Sequence, residues 1–261
     1  MKKINKVKLF INNNIKSRKV AKELVEVLKK KKFQIVDDDF DLGIAIGGDG
    51  SFLRMVKDCN FNNEIFYVGV NAGTLGFAQD ISVDEIGDFV ANLSRGEYTY
   101  EEIGVQEVLI VTNTSTSKMF SLNEIVIRDE ALNTTSLDIL VDDIFLEHYT
   151  GDGILIATSF GSTAYNLSFG GSFVYNTFNT LQITPIAPLN NKSYHGLTNS
   201  VIIPSNKIIK LVPKRNNGNL IVTIDGDNKF YNNVTKIETS MRTQTIKIIR
   251  KKDYNFIRKI N

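Results

Sequence analysis

The first hundred residues alternate between short apolar runs and stretches with apolar positions at helical spacing. Val7-Lys8-Leu9-Phe10-Ile11 reads as a strand, and residues 18–31 carry Val20, Leu24, Val27 and Leu28 on one helical face. Phe33-Gln34-Ile35-Val36 predicts a second strand. Leu42-Gly43-Ile44-Ala45-Ile46 predicts a third, apolar almost throughout, as a parallel strand buried on both faces would be. Residues Ile65 to Val70 predict a fourth. Ser82-Val83-Asp84-Glu85 is a capping box opening a helix that ends near Arg95-Gly96. This alternation predicts an open, doubly wound α/β domain over residues 1–100.

Past residue 100 the pattern changes. Val105–Thr112, Phe120–Arg128, Leu137–Val141, Ile154–Thr158 and Leu220–Ile224 are short, β-branched and separated by polar turns. They predict a β-rich second domain over residues 101–239. The polar run Thr112 to Ser117 reads as a hairpin turn, and Thr245 to Ile249 reads as a strand. The expectation for residues 240–261 is a return to the first domain.

Composition narrows the function classes. The chain has 261 residues, 42% of them hydrophobic, and a formal net charge of +2, so no strong pull toward nucleic acid or membrane follows. The basic runs Lys29–Lys32 and Arg250–Lys252 read as solvated helix ends or tails. Cys59 is the one cysteine, which excludes an intramolecular disulfide framework and suits a reducing compartment. No apolar run approaches membrane-spanning length, and Met1 to Lys6 lacks a signal-peptide core. The expectation is a soluble, cytoplasmic protein.

Four segments carry candidate chemistry. Gly47-Gly48-Asp49-Gly50-Ser51 follows the third strand, and Phe52-Leu53-Arg54-Met55-Val56 then reads as the start of a helix. Such a turn suits a phosphate cradle with a carboxylate beside it, or a tight turn in which Asp49 caps the helix. It is neither a Walker A loop nor the dinucleotide fingerprint. Asn71-Ala72-Gly73-Thr74-Leu75-Gly76-Phe77 follows the fourth strand. Loops at the carboxyl ends of neighbouring parallel strands face one crevice, so this segment offers Asn71 and Thr74 as hydrogen-bonding groups and Phe77 as a wall. Asn123-Glu124 interrupts the strand-like run Leu122 to Ile127, where a polar pair needs a partner, a ligand or an exposed edge.

The fourth segment runs from Thr150-Gly151-Asp152-Gly153-Ile154 through Thr158-Ser159-Phe160-Gly161-Ser162-Thr163-Ala164-Tyr165-Asn166-Leu167-Ser168 to Gly170-Gly171. It reads as a hydroxyl-rich site or as a plain Gly/Ser-rich loop. Ser162 lacks the Gly-x-Ser-x-Gly elbow, and His148 and His195 lack metal-ligand spacing, which sets triad and metal readings aside. Cys59 reads as a packed helix residue rather than a nucleophile.

Taken together, these segments resemble the NAD kinase family. Gly47 to Gly50 matches its GGDG signature, Asn71 to Phe77 its N-x-G-x-L-G-F segment, and Asn123-Glu124 its N-E pair. Gly151-Asp152-Gly153 with Gly161 to Tyr165 and Ser168 matches its longest block, and Asp225-Gly226 resembles the start of its late D-G-Q motif. GGDG alone is shared with diacylglycerol and sphingosine kinases; the 150–171 block is far more specific. The resemblance implies an N-terminal α/β domain and a C-terminal β-sandwich-like domain, with NAD bound between them. It implies phosphorylation of the 2′-hydroxyl of the adenosine ribose to give NADP, with ATP or polyphosphate as donor and Mg²⁺ arriving on the nucleotide, with no dedicated metal cage.

Carried over by the resemblance, Asp49 is the proton acceptor. Gly50, Asn123, Glu124, Asp152, Thr163, Ala164, Tyr165, Ser168 and Ala187 line the dinucleotide site, together with Asn71 and Phe77. Arg54 is a phosphate contact. The family's subunits pair, so a homodimer or homotetramer is expected, with Asp152 acting across an interface. Thr150, Ser159-Phe160 and Asp227 depart from the family pattern. The alternatives are a diacylglycerol-type lipid kinase sharing only GGDG, against which the polar 150–168 block argues, and a dinucleotide-binding regulator without catalysis.

Overall fold

The computed structural model describes residues 3–73, 76–190, 196–214 and 218–259, and its chain divides into two compact units: residues 1–103 with 245–261, and residues 104–244.

The first unit is built on parallel strands: β1 (Lys6–Ile11), β2 (Gln34–Ile35), β3 (Leu42–Gly47) and β4 (Phe66–Asn71). Their order is β2-β1-β3-β4, and every pairing is parallel. All residues of β3 and β4 are buried, which is why both read as apolar runs. Helix α1 (Ile15–Lys30) and helix α3 (Ile86–Arg95) place Val20, Leu24, Leu28, Phe89, Val90 and Leu93 in one core with Leu42, Ile44, Ile46, Val68 and Val70. Helix α2 (Asp49–Asp58) covers the opposite face, where a Cβ on Gly43 would lie 3.1 Å from Met55 Sδ. Helices on both faces make this a doubly wound α/β unit. Asn14 caps α1, its Oδ1 accepting the Ser17 amide at 2.7 Å. Ser82 and Glu85 form a capping box, but it opens a short 3-10 turn (Val83–Glu85) that leads into α3.

The second unit is β-rich. It contains strands β6 (Thr116–Ser121), β7 (Glu124–Asp129), β8 (Thr135–Val141), β9 (Ile144–Thr158), β10 (Thr180–Pro188), β11 (Val201–Pro204), β12 (Ile209–Pro213), β13 (Leu220–Ile224) and β14 (Asp227–Tyr231). Strands β5 (Thr99–Thr112) and β15 (Val234–Arg250) run from one unit into the other. The first half of β15 pairs with β12, and its last residues pair in parallel with β4, Lys247 opposite Phe66. Pairing within the second unit is antiparallel, and alternate residues such as Ile125, Ile127, Leu137, Ile139, Ile154 and Ile156 share one core. Asn113 to Ser115 turn the chain from β5 into β6.

Three readings change. Helix α2 begins at Asp49, with Gly48 as its extended N-cap, rather than beyond Ser51. Asn123 is not inside a strand; it sits in the break between β6 and β7. The basic run Arg250–Lys252 is not a solvated tail throughout. Arg250 is buried, its Nε bonds Glu101 Oε2 at 2.8 Å, its Nη1 lies 3.5 Å from Asp80 Oδ2, and it stacks over Tyr254. Those carboxylates lie far away in sequence, so the local run gave no sign of them. Among the described residues no helix is long and apolar enough to cross a membrane.

Candidate active site

In the first unit, the loops after β3 and β4 meet. The Asp49 carboxylate accepts the Phe77 amide on Oδ2 and the Ala78 amide on Oδ1, each at 3.0 Å. Gly76 makes room for this: a Cβ there would lie 2.1 Å from Asp49 Oδ1. After Asp49 the second loop returns to the side of β4, where Ile81 pairs with Val70 in a short parallel bridge. The Asp80 and Ile81 amides donate to the Gly69 carbonyl, and the Asn71 amide donates to the Ile81 carbonyl at 2.8 Å. Asn71 is buried and its Oδ1 accepts the Gly73 amide at 2.8 Å, so that oxygen closes its own turn. Thr74 and Leu75 of this segment lie outside the described residues, as does His195.

The glycines after β3 divide their work. A Cβ on Gly47 would strike Ser51 Oγ, whereas Gly48 and Gly50 face open space. Asn12, just past the end of β1, donates to Ser51 Oγ at 3.0 Å. It went unnoticed in the sequence, where its only sign is a polar residue at a strand's carboxyl end. Arg54 is exposed on α2. Five residues beyond Asp49, it projects about 140° around the helix from it, so the structure does not bring the two together.

In the second unit, a half-buried carboxylate organises the Asn123-Glu124 segment. Asp225 accepts the Leu122, Asn123 and Glu124 amides at 2.7, 2.7 and 3.2 Å, and the Ser121 hydroxyl at 2.8 Å. These bonds sit where β6, paired with β5, ends at Ser121 and a different ladder, β7 on β9, begins at Glu124 opposite Ala157. Burial pushes the Asp225 carboxyl upward, against the donors that favour its charged form. Gly161 packs on the same segment, where a Cβ would lie 2.0 Å from the Asn123 carbonyl oxygen. Thr158 fastens the other side: its hydroxyl donates to Leu122 O at 2.6 Å and accepts the Gly161 amide at 3.0 Å.

Residues 159–170 are not a plain loop. They form two 3-10 turns, Phe160–Thr163 and Tyr165–Phe169, joined at Ala164; Thr163 and Ala164 are half-buried and Tyr165 and Ser168 exposed. Ser162 is fully buried and exchanges hydrogen bonds with the Val174 backbone, which makes it structural. Tyr165 receives a bond from Arg128 Nη2 at 3.1 Å. Asp152 is exposed between Gly151 and Gly153, whose partners Pro188 and Ile186 flank Ala187. Ala187 has φ +44°, a left-handed conformation rare for alanine. Tyr149 holds this corner, its hydroxyl bonding Ile186 O at 2.7 Å and accepting the Gly153 amide at 3.1 Å.

Burial, with the Asp225 carboxylate adding to it, pushes the Glu124 carboxyl up to about 8, against one backbone donor from Tyr165. A raised folded value means that stability falls as pH rises from the unfolded carboxyl's 4.5 toward about 8. Glu124→Gln is therefore expected to melt like the parent at pH 4.5 and about 4 °C higher at pH 8.5. Paired calorimetric melts check this; equal melting at both pH values would place Glu124 in a solvated setting.

Two other groups drop out. Burial pushes the Cys59 thiol up to about 11, which leaves little thiolate. His148 bonds Asp138 at 3.0 Å and Ser136 at 3.3 Å, but this is an exposed cross-strand cluster in which Lys214 also pairs with Asp138.

Comparison with known proteins decides what the two sets of loops belong to. The model of the ATP-NAD kinase N-terminal domain matches residues 11–98, and that of the ATP-NAD kinase C-terminal domain matches residues 122–250. The NAD kinase of Finegoldia magna is 35% identical over 260 residues, covering 96% of this chain and 95% of its own. This chain belongs to the NAD kinase family.

An NAD kinase of Streptococcus agalactiae is 34% identical over 247 residues, covering 94% of this chain and 89% of its own. Two solved structures share the fold. Yeast NADH kinase complexed with NADH has a TM-score of 0.88 at 21% identity, covering 100% of this chain and 87% of that one. An NAD kinase from Archaeoglobus fulgidus in complex with ATP has a TM-score of 0.76 at 19% identity, covering 97% and 95%. Neither the lipid-kinase reading nor the non-catalytic reading finds support in these family matches.

Proposed function

We propose that this NAD kinase family member phosphorylates NAD at the 2′-hydroxyl of the adenosine ribose, giving NADP. The observation that carries the reading is the Asp49 carboxylate, fixed by the Phe77 and Ala78 amides at the carboxyl ends of adjacent parallel strands. Each carboxylate oxygen has a second lone pair, so both remain able to accept a hydroxyl proton. The ribose oxygen attacks the terminal phosphorus, its proton passes to Asp49, and the shortened donor leaves. Such a transition state is loose, so the chain's contribution is chiefly positioning.

In this reading the open Gly48-Asp49-Gly50 turn seats the donor phosphates, since first-turn helix amides lack intrahelical acceptors. ATP is the proposed donor, following the family description, with polyphosphate as the variant to test. Mg²⁺ enters with the donor as part of that substrate and neutralises phosphate charge. Asn123, Glu124, Asp152, Thr163, Ala164, Tyr165, Ser168 and Ala187 would read the dinucleotide; Asn71 and Phe77 would complete the ribose side, and Arg54 would meet phosphate. Subunits would pair, with Asp152 acting across the interface, in the cytoplasm.

The test is purified protein with NAD, Mg²⁺ and either ATP or polyphosphate, read by a dehydrogenase that accepts only NADP. Donor-dependent NADP is the expected result. Tight NAD binding without any NADP would overturn the proposal in favour of a regulator.

A further inference from the structure

Lys259 closes the described chain, on a 3-10 turn (Ile257–Lys259) anchored by buried Phe256. Its ammonium is nearly buried and makes three bonds: to Gly76 O at 3.0 Å, to Asp80 Oδ1 at 2.9 Å, and to Gln79 O. That is the full donor capacity of a lysine. Asp80 is held in turn by Arg250, which Glu101 orients. All these groups belong to the first unit.

One detail gives the arrangement a purpose. The Gly76 carbonyl and the Phe77 amide belong to the same planar peptide. Its oxygen accepts from Lys259, and its N–H donates to Asp49 Oδ2. A cation on the carbonyl polarises the peptide and strengthens the hydrogen bond that its N–H donates. The Gln79 carbonyl, pinned by the same ammonium, fixes the loop on the far side of Ala78, the second residue that grips Asp49.

We propose that Lys259 is a positioning residue that orients Asp49 through the Gly76–Phe77 peptide. The role rests on the reading of Asp49 as proton acceptor. It would tie the Ile257–Lys259 turn to the reacting centre without any contact between Lys259 and substrate.

The test compares Lys259→Met and Lys259→Arg with the parent. Lys259→Met is expected to lose about tenfold in kcat, with KM for NAD and ATP changed less than about twofold. Lys259→Arg, keeping charge and donors, should recover most of the loss. A second readout needs no turnover: in protein labelled with ¹⁵N-phenylalanine, the Phe77 amide proton should move upfield in Lys259→Met, measured well below the melting temperature. Parent-like kcat in Lys259→Met would overturn the role. So would an unmoved Phe77 amide, even beside a lowered kcat, since Lys259 would then only staple the tail. Asp49→Asn, assayed in parallel, separates the two readings. If it is fully active, Asp49 is not the base and the role falls with it; if it is dead while Lys259→Met is normal, only the role of Lys259 falls.

Discussion

Asp49→Asn is expected to lose about a thousandfold or more in kcat while the protein stays folded. The loss has a chemical and a geometric part. An amide oxygen accepts a proton far less readily than a carboxylate, so the hydroxyl loses its acceptor. The Asn amino group would also face either the Phe77 or the Ala78 amide, donor against donor, where the carboxylate now accepts both. The orphaned amide should cost about 1–2 kcal/mol of stability, which a protein of this size survives. Gly76→Ala separates the two parts. It leaves the carboxylate in the chain but puts a methyl 2.1 Å from Oδ1, forcing it off its amides. If position matters as the geometry suggests, Gly76→Ala should lose about a hundredfold with a normal acceptor still present. Near-parental turnover by Asp49→Asn would end the assignment of Asp49 as base. Steady-state kinetics with the coupled NADP assay, beside thermal melts of each variant, decide it.

What the sequence made readable followed from how local each cause is. β3 and β4 were legible because a strand buried on both faces needs apolar residues throughout. The capping box at Ser82 was legible because both partners lie within four residues. The break at Asn123 was not, because the carboxylate that holds its amides is Asp225, about a hundred positions on. An apolar run with a polar pair inside looks like one strand until that partner is placed. Arg250 misled for the same reason: three basic residues in a row look like a tail when Asp80 and Glu101 are out of view. The helix start was missed by three residues because Gly50 reads as a turn, yet helix α2 passes through it in its first turn. Asp49 itself stood out as a lone carboxylate between glycines, but not the backbone amides that hold it, since amides leave no mark in a sequence. Lys259 lay wholly out of reach, because its effect runs through a peptide group.

Asp225 is where that long-range logic can be tested most sharply. Asp225→Ala would remove one acceptor group from three backbone amides and the Ser121 hydroxyl at once. Asp225 lies in a left-handed turn, φ +46°, between β13 and β14. Alanine tolerates that conformation less well than aspartate. Ser121, Leu122 and Glu124 are buried, so water has little room to replace the carboxylate. Each unsatisfied buried donor costs about 1–3 kcal/mol, and partial relaxation should hold the total near 4 kcal/mol. For a chain of this size that is a fall of about 10 °C in melting temperature. Ser121→Ala removes only one of the four donors and leaves the acceptor in place, so it should cost about 1 kcal/mol. The ordering Asp225→Ala well below Ser121→Ala, and Ser121→Ala just below the parent, is the signature of a carboxylate that shapes the segment through its amides. If Asp225→Ala melts within about 2 °C of the parent, the β7–β9 ladder alone holds the segment. In the folded fraction of Asp225→Ala, Asn123 and Glu124 would no longer be fixed, so KM for NAD should rise while the first unit, with Asp49 and its amides, stays intact.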